Sequence, residues 1–369
     1  MAAAWVTLLA AVLVAAATAA QRRAAGAERP VRIVLCKTTF RRTNFMYEPA
    51  WQTLVAGFAA YARARAPGAL RLTADPRGCS ALKNATRQLG EGDLFIWLGR
   101  LHHEQPPWVD LNKRGVHTVY YRTEPDEPCL STVARTGAER HAPTPAETWE
   151  YTHANSAAGC TAWPAPRSRY VPPGAPADAG AGPRSARLLA GHPDVAVLDF
   201  VGATSGYAMR VACLSYLSAT IPHGAFRLAH DLWNEATWRR ALARMSAVVN
   251  LHKNCSDSAQ PLEAFRVAKL LAYGCIVLSE RSDARDEAAF AGMVTFASVD
   301  ALPAMWARFA ASSAAQRAAA GGAARTKFLA AFAPARLFHE AGVFGLLDEL
   351  RRGRRRSSLW ALLRRALPV

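Results

Sequence analysis

Glu263 and Arg266 stand three residues apart in a stretch, Pro261 to Tyr273, whose apolar spacing predicts a helix. Pro261 falls near its first turn, where the missing N–H costs nothing. Residues at that separation share one helix face. A carboxylate there can take both hydroxyls of a ribose, and a guanidinium beside it can hold a diphosphate through paired hydrogen bonds, helped by backbone N–H groups. The same spacing also suits a salt bridge on a solvent face, with Glu favoured near a helix N-terminus. Other groups fall near the ends of predicted strands: Gly202 after one, Asn250, His252 and Lys253 after a second, Glu280 after a third. Gly274 ends the helix itself.

A second set lies in the first half of the chain. Arg122-Thr123-Glu124-Pro125-Asp126-Glu127 directly follows an apolar run. Glu124 there suits a general base that deprotonates a sugar hydroxyl, and His153 is a further titratable group beside a strand end. A polar turn begun by Pro125 is the plainer account of the carboxylates. His102-His103 is expected to be a surface pair, because adjacent histidines cannot both face one site. No D-x-D occurs in the chain, and Glu124-x-Asp126 matches that metal-binding pattern poorly. The seven cysteines are widely spaced without a C-x-x-C, which excludes the usual zinc and redox signatures. No metal ligands are expected. Cys36 and Cys275 fall in apolar runs and are expected to pack as small hydrophobes.

The elements that must position these groups alternate. Strands are expected at 31–36, 70–73, 93–99, 117–121 and 169–171, with a helix over 51–64. A Pro-, Gly- and Ala-rich stretch without periodicity follows, and then a second series begins. It places strands at 195–202, 247–251, 275–279 and 294–296, helices at 209–217, 238–245 and 261–273, and Ala-rich helices over 303–332. Such alternation predicts parallel sheets covered by helices, hence an α/β protein of two Rossmann-like domains facing across a cleft. The expected units are a first domain over 29–173, a linker over 174–194, a second domain over 195–334, and a C-terminal helix with a basic tail over 335–369. Ligands of open parallel sheets bind outside the carboxyl ends of the strands, and that rule selects the residues named above.

The two ends of the chain carry their own signals. Trp5 to Ala20 is apolar and uncharged, so residues 1–28 are expected to be a signal peptide or signal anchor. The segment is short for a membrane helix, which needs about 20 apolar residues. Arg22-Arg23 follows it rather than precedes it, against a type II anchor. Secretory entry into the endoplasmic reticulum or Golgi lumen is the expectation, with an organellar presequence the alternative. Asn84-Ala85-Thr86 and Asn254-Cys255-Ser256 are glycosylation sequons that matter only in such a lumen. A net charge of +17 points toward polyanions, but the chain carries no zinc-finger or RNP-like motif, so no nucleic acid is expected. Arg351 to Leu367 alternates Arg clusters with Leu359, Trp360, Leu362 and Leu363, as an interfacial helix contacting anionic membrane would.

The stretch from Val249-Asn250-Leu251-His252 through Pro261-Leu262-Glu263-Ala264-Phe265-Arg266 to Gly274 and Glu280 resembles the donor-binding half of family 1/4-type GT-B glycosyltransferases. The similarity is strongest to a subgroup typified by spore-maturation CgeB-like proteins. Two first-half stretches are similar to the same subgroup: 119–125, which contains Tyr-Arg-Thr-Glu-Pro, and 149–156. Residues 169–174 resemble its strand into the interdomain linker. Thr204 to Arg240 matches poorly, and the upstream Glu of the family's E-x7-E pattern is absent near Ser256. The resemblance implies a hexosyltransferase that uses a nucleotide sugar as substrate and needs no cofactor or metal. The donor would sit in the second domain and the acceptor, a glycan, protein or lipid, in the first. Glu263 falls at the ribose-binding position. The alternatives are a catalytically inactive glycan- or nucleotide-binding relative and a basic membrane-surface protein.

Overall fold

The computed structural model describes residues 29–38, 47–65, 68–75, 78–99, 107–123, 145–154, 167–175, 197–202, 204, 207–229, 235–242, 245, 247–255 and 260–353. The apolar N-terminal segment, Glu124 with Asp126 and Glu127, the His102-His103 pair, most of the linker and the tail beyond Gly353 lie outside them.

Eleven strands among these residues form two sheets. The first has the order β2-β1-β3-β4-β5-β6 and the second β11-β10-β9-β7-β8, with parallel pairing throughout. β1 (Val31–Lys37), β2 (Leu70–Ala74), β3 (Leu94–Leu98), β4 (His117–Tyr121), β5 (Glu147–Glu150) and β6 (Ser168–Tyr170) make the first sheet. β7 (Leu198–Val201), β8 (Phe226–Ala229), β9 (Ala247–Asn250), β10 (Ile276–Glu280) and β11 (Val294–Ala297) make the second. The central strands β3 and β9 are buried throughout, as continuous apolar runs in a sheet covered on both faces should be. The helices are α1 (Glu48–Arg65), α2 (Lys83–Arg87), α3 (Trp108–Lys113), α4 (Ala208–Thr220), α5 (Glu235–Leu242), α6 (Ala264–Ala272), α7 (Ala284–Ala289), α8 (Leu302–Ala311), α9 (Ala314–Ala331) and α10 (Pro334–Glu340).

Three features depart from the sequence pattern. Helix α6 starts at Ala264 rather than Pro261, because Gln260 is extended and bridges Ser282 in parallel, its carbonyl accepting from the Ser282 hydroxyl and from the Asp283 N–H. Glu263 therefore occupies the N-cap position, its carboxylate making no hydrogen bond to the N–H groups of the first turn. β5 is fully buried although it carries two carboxylates, and β8 is a partly exposed edge strand, so neither shows the apolar run expected of a parallel strand. Cys36 does not pack as a lone thiol: it forms a disulfide with Cys79, their Cα atoms 4.9 Å apart, because a short turn at Cys79–Leu82 lies against β1. Cys275 is buried in the core as expected.

The C-terminal helices return to the first domain. Phe338 packs edge-on against Phe58 at 5.0 Å and against Trp149 at 6.2 Å, and Asp348 accepts from Tyr61 and Arg65 at 2.7 and 2.6 Å. Gly57 permits this approach, since a Cβ there would lie 2.5 Å from the Phe338 ring. A second junction runs through α6. Phe265 projects from the second domain into first-domain aromatics, 4.8 Å from Tyr151, 5.8 Å from Tyr47 and 6.5 Å from Tyr121 between ring centroids. One face of α6 is thereby fixed against strand ends of the first sheet.

Candidate active site

The carboxyl ends of β7, β9 and β10 bring together most of the residues singled out in the second half. Glu263 stands between two arginines. Its Oε1 is 3.1 Å from Arg210 and its Oε2 is 3.6 Å from Arg266. Both guanidinium groups are buried, with side chains 2% and 5% exposed, while Glu263 keeps 19%. That excludes the solvent-face salt bridge as the role of the pair.

Each arginine is held by the β9 turn as well. Arg266 donates to the Asn250 side chain at 3.0 Å and to the Leu251 carbonyl at 3.3 Å, and Asn250 donates onward to Ser279 at 3.0 Å. Arg210 donates to the carbonyls of Leu251 and His252 at 3.1 and 3.0 Å. Arg210 also lies 5.1 Å from the Tyr207 ring, and Lys253 lies 5.8 Å from the same ring. Gly202 is needed for close approach: a Cβ there would sit 2.9 Å from the Phe200 ring and 3.2 Å from the Arg266 guanidinium. A disulfide between Cys213 and Cys255, with Cα atoms 6.5 Å apart, ties α4 to the loop after β9 and so fixes Arg210 over that turn.

Burial sets the protonation states. Burial pushes Glu263 up, but Arg266, then Arg210 and Lys253, outweigh it and hold the carboxyl below the ordinary range. Burial lowers Arg266 to about 10 despite Glu263, so it stays charged. Burial drives His252 down to about 4, leaving a neutral imidazole at pH 7. Its Nε2 lies 3.0 Å from the Arg281 carbonyl, which can only accept, so Nε2 carries the proton and Nδ1 is an acceptor. Burial raises Glu280 to about 7, although its Oε1 accepts from the His252 N–H at 2.6 Å. Glu280 Oε2 and His252 Nδ1 are buried without a hydrogen-bond partner. Near neutrality, then, Arg210, Lys253 and Arg266 face one fully ionised carboxylate and one half-titrated one. These groups together carry net positive charge, and the two guanidinium groups are buried.

The remaining sequence-selected residues lie elsewhere. Gly274 is at the amino end of β10, opposite the cluster. It ends α6 in the left-handed region (φ +73°), with Gly274 N–H on Leu271 and Cys275 N–H on Leu270, a helix stop. His153 sits at the domain junction: its ring stacks on Tyr170, its N–H donates to Asp286 at 2.7 Å, and its carbonyl accepts from Arg285 at 2.8 Å. Burial, then Arg285, lowers its pKa. Around the first sheet's carboxyl ends Arg122 pairs with Glu150 at 3.3 Å and Lys37 with Glu48 at 3.1 Å. Among the described residues no cluster of His, Cys, Asp or Glu is arranged to hold a metal ion, and no helix is long and apolar enough to cross a membrane.

Arg210 is the member that the sequence did not reveal. It lies in Thr204 to Arg240, the stretch that matches the family pattern poorly. The signal in hindsight is Arg210-x-x-Cys213 on an apolar helix with a cysteine, Cys255, beyond the β9 turn.

No family model and no curated protein matches the chain. Solved structures do. HepE from Anabaena, determined in complex with UDP-glucose, aligns over 85% of this chain and 98% of its own with a TM-score of 0.52 at 10% identity. The N-terminal domain of trehalose-6-phosphate phosphatase from Candida albicans aligns over 87% and 97%, with a TM-score of 0.51 at 8% identity. The fold is GT-B: two Rossmann-like domains built on parallel sheets.

Proposed function

We propose that the protein is a glycosyltransferase that moves a sugar, a hexose by the family resemblance, from a nucleotide-sugar donor in the second domain to an acceptor hydroxyl presented by the first. The carrying observation is the buried Arg210–Glu263–Arg266 cluster at the carboxyl ends of β7, β9 and β10. Its excess cations suit a diphosphate, and Glu263, firmly ionised, suits paired ribose hydroxyls. Charge neutralisation by arginines makes a divalent metal unnecessary for donor binding. The partnerless Glu280 Oε2 and His252 Nδ1 each forfeit about 1–3 kcal/mol, which a hydroxyl donor from the ligand would relieve. Asn250 and Gly202 act on the donor through Arg266, the one by anchoring it and the other by leaving it room. The UDP-glucose bound to HepE supports the same class of donor. The acceptor base is assigned to Glu124 if the reaction inverts configuration, on its place after β4 in the resembling stretch.

The Cys36–Cys79 and Cys213–Cys255 disulfides support an oxidising compartment such as the secretory lumen. The test is a donor screen: UDP- and GDP-sugars are added in turn and the melting temperature is followed, since a ligand that binds only the folded state raises it. At least one should do so, and Glu263→Gln should remove the rise. Indifference to every donor would overturn the reading.

A further inference from the structure

Along the edge of the first sheet, β6 and α10 border an open pocket of about 710 Å³ that shares no residue with the Arg210–Glu263–Arg266 cluster. Its size falls within the range of about 300–1,000 Å³ usual for small-molecule sites. Two properties of its wall define what would fit.

The first is aromatic. His153 and Tyr170 both line the pocket, and their rings stack with centroids 3.6 Å apart and planes 20° from parallel. The second is charge. Arg169 is already answered by buried Glu147, and Glu340 by Arg336 one helical turn away at 2.6 Å. Arg167 is exposed, and no acid pairs with it among the described residues. Among the described residues that line the pocket, the uncompensated charge is therefore one guanidinium, with the two stacked rings in the same wall. The chain's net charge of +17 adds a field that draws anions to it.

We propose that this pocket binds a saccharide-sized ligand bearing one acidic group, its carboxylate or phosphate on Arg167 and its apolar ring face against the His153–Tyr170 stack. A guanidinium offers such a group two parallel donors, and the rings offer area that water solvates poorly. The site is independent of the donor-binding proposal. It borders the domain junction, because His153 is also the residue whose main chain is gripped by Asp286 and Arg285 of the second domain.

Calorimetric titration of the full chain with glucuronate, glucose 6-phosphate and glucose tests it. Glucuronate or glucose 6-phosphate should bind and glucose should not, and the preference between the two acids identifies the group that Arg167 takes. Arg167→Glu should weaken the binding by about 10–100-fold, the worth of a charge-assisted hydrogen bond. Arg71→Glu, an equal change of charge on the exposed face of β2 at the far edge of the sheet, should leave it within twofold or so. UDP-glucose titrated into the Arg167→Glu protein should behave as with wild type, which separates this site from the donor site. The proposal is overturned if neither acid binds, if glucose binds as well as they do, or if the two substitutions weaken binding equally.

Discussion

The two sheets present their carboxyl ends very differently. At the first, the cations are answered: Lys37 by Glu48 and Arg122 by Glu150. At the second, two buried arginines share Glu263, and Lys253 adds a third positive charge. The surplus of cations at the second suits a diphosphate, whose charge they can neutralise. The asymmetry supports the proposal that the second domain holds the donor.

The largest way to break that contrast is Arg210→Ala. It strips the Leu251 and His252 carbonyls and one oxygen of Glu263 of a buried donor, so a loss of about 3 kcal/mol in stability is expected by chemical denaturation. Affinity for a nucleotide sugar should fall by about 100-fold or more. Arg122→Ala at the first sheet removes an equally charged side chain and should leave donor affinity within a few-fold. Equal losses from the two would erase the distinction between the domains.

Glu263→Gln sharpens the contrast with less damage than Glu263→Ala, because an amide keeps the shape between the two guanidinium groups. Donor affinity should drop by about 10–100-fold, the cost of losing charge-assisted bonds to ribose. An unchanged affinity would make Glu263 a structural counter-ion alone.

The smallest effect concerns pH. Glu280 titrates near 7 in the folded protein against an ordinary carboxyl value near 4.5, burial being the chief cause. The folded state then holds a proton that the unfolded chain releases, so this group's contribution to stability declines as pH rises from about 4.5 to 7. His252 acts in the opposite sense, since its depressed value, about 4, withdraws stability as pH falls from 6.5. Glu280→Gln should accordingly melt near wild type at pH 5 and gain on it toward pH 8. A gap that closes with rising pH would reverse the assignment.

Much of this was legible before the structure. The apolar runs of β1, β3, β4, β9 and β10 marked two parallel sheets because their strands are buried on both faces. Asn250, His252, Lys253, Glu263, Arg266 and Glu280 could be grouped from sequence because they fall where strands end, and the structure brings them together there. β5 was hidden by Glu147 and Glu150, whose burial depends on Arg169, His117 and Arg122, partners that no local pattern reveals. Arg210 was hidden for the same reason: it reaches Glu263 across 53 residues of sequence. Gly274 was legible as a helix stop, but a glycine between helix and strand does not say at which end of the sheet it lies.

Whether buried arginines, and no divalent metal, hold the donor's diphosphate is tested most directly by titrating UDP-glucose and GDP-mannose into the protein in excess EDTA. One of them is expected to bind, with an affinity that added manganese leaves unchanged. Binding by neither, or binding that appears only with manganese, would contradict the donor site described here.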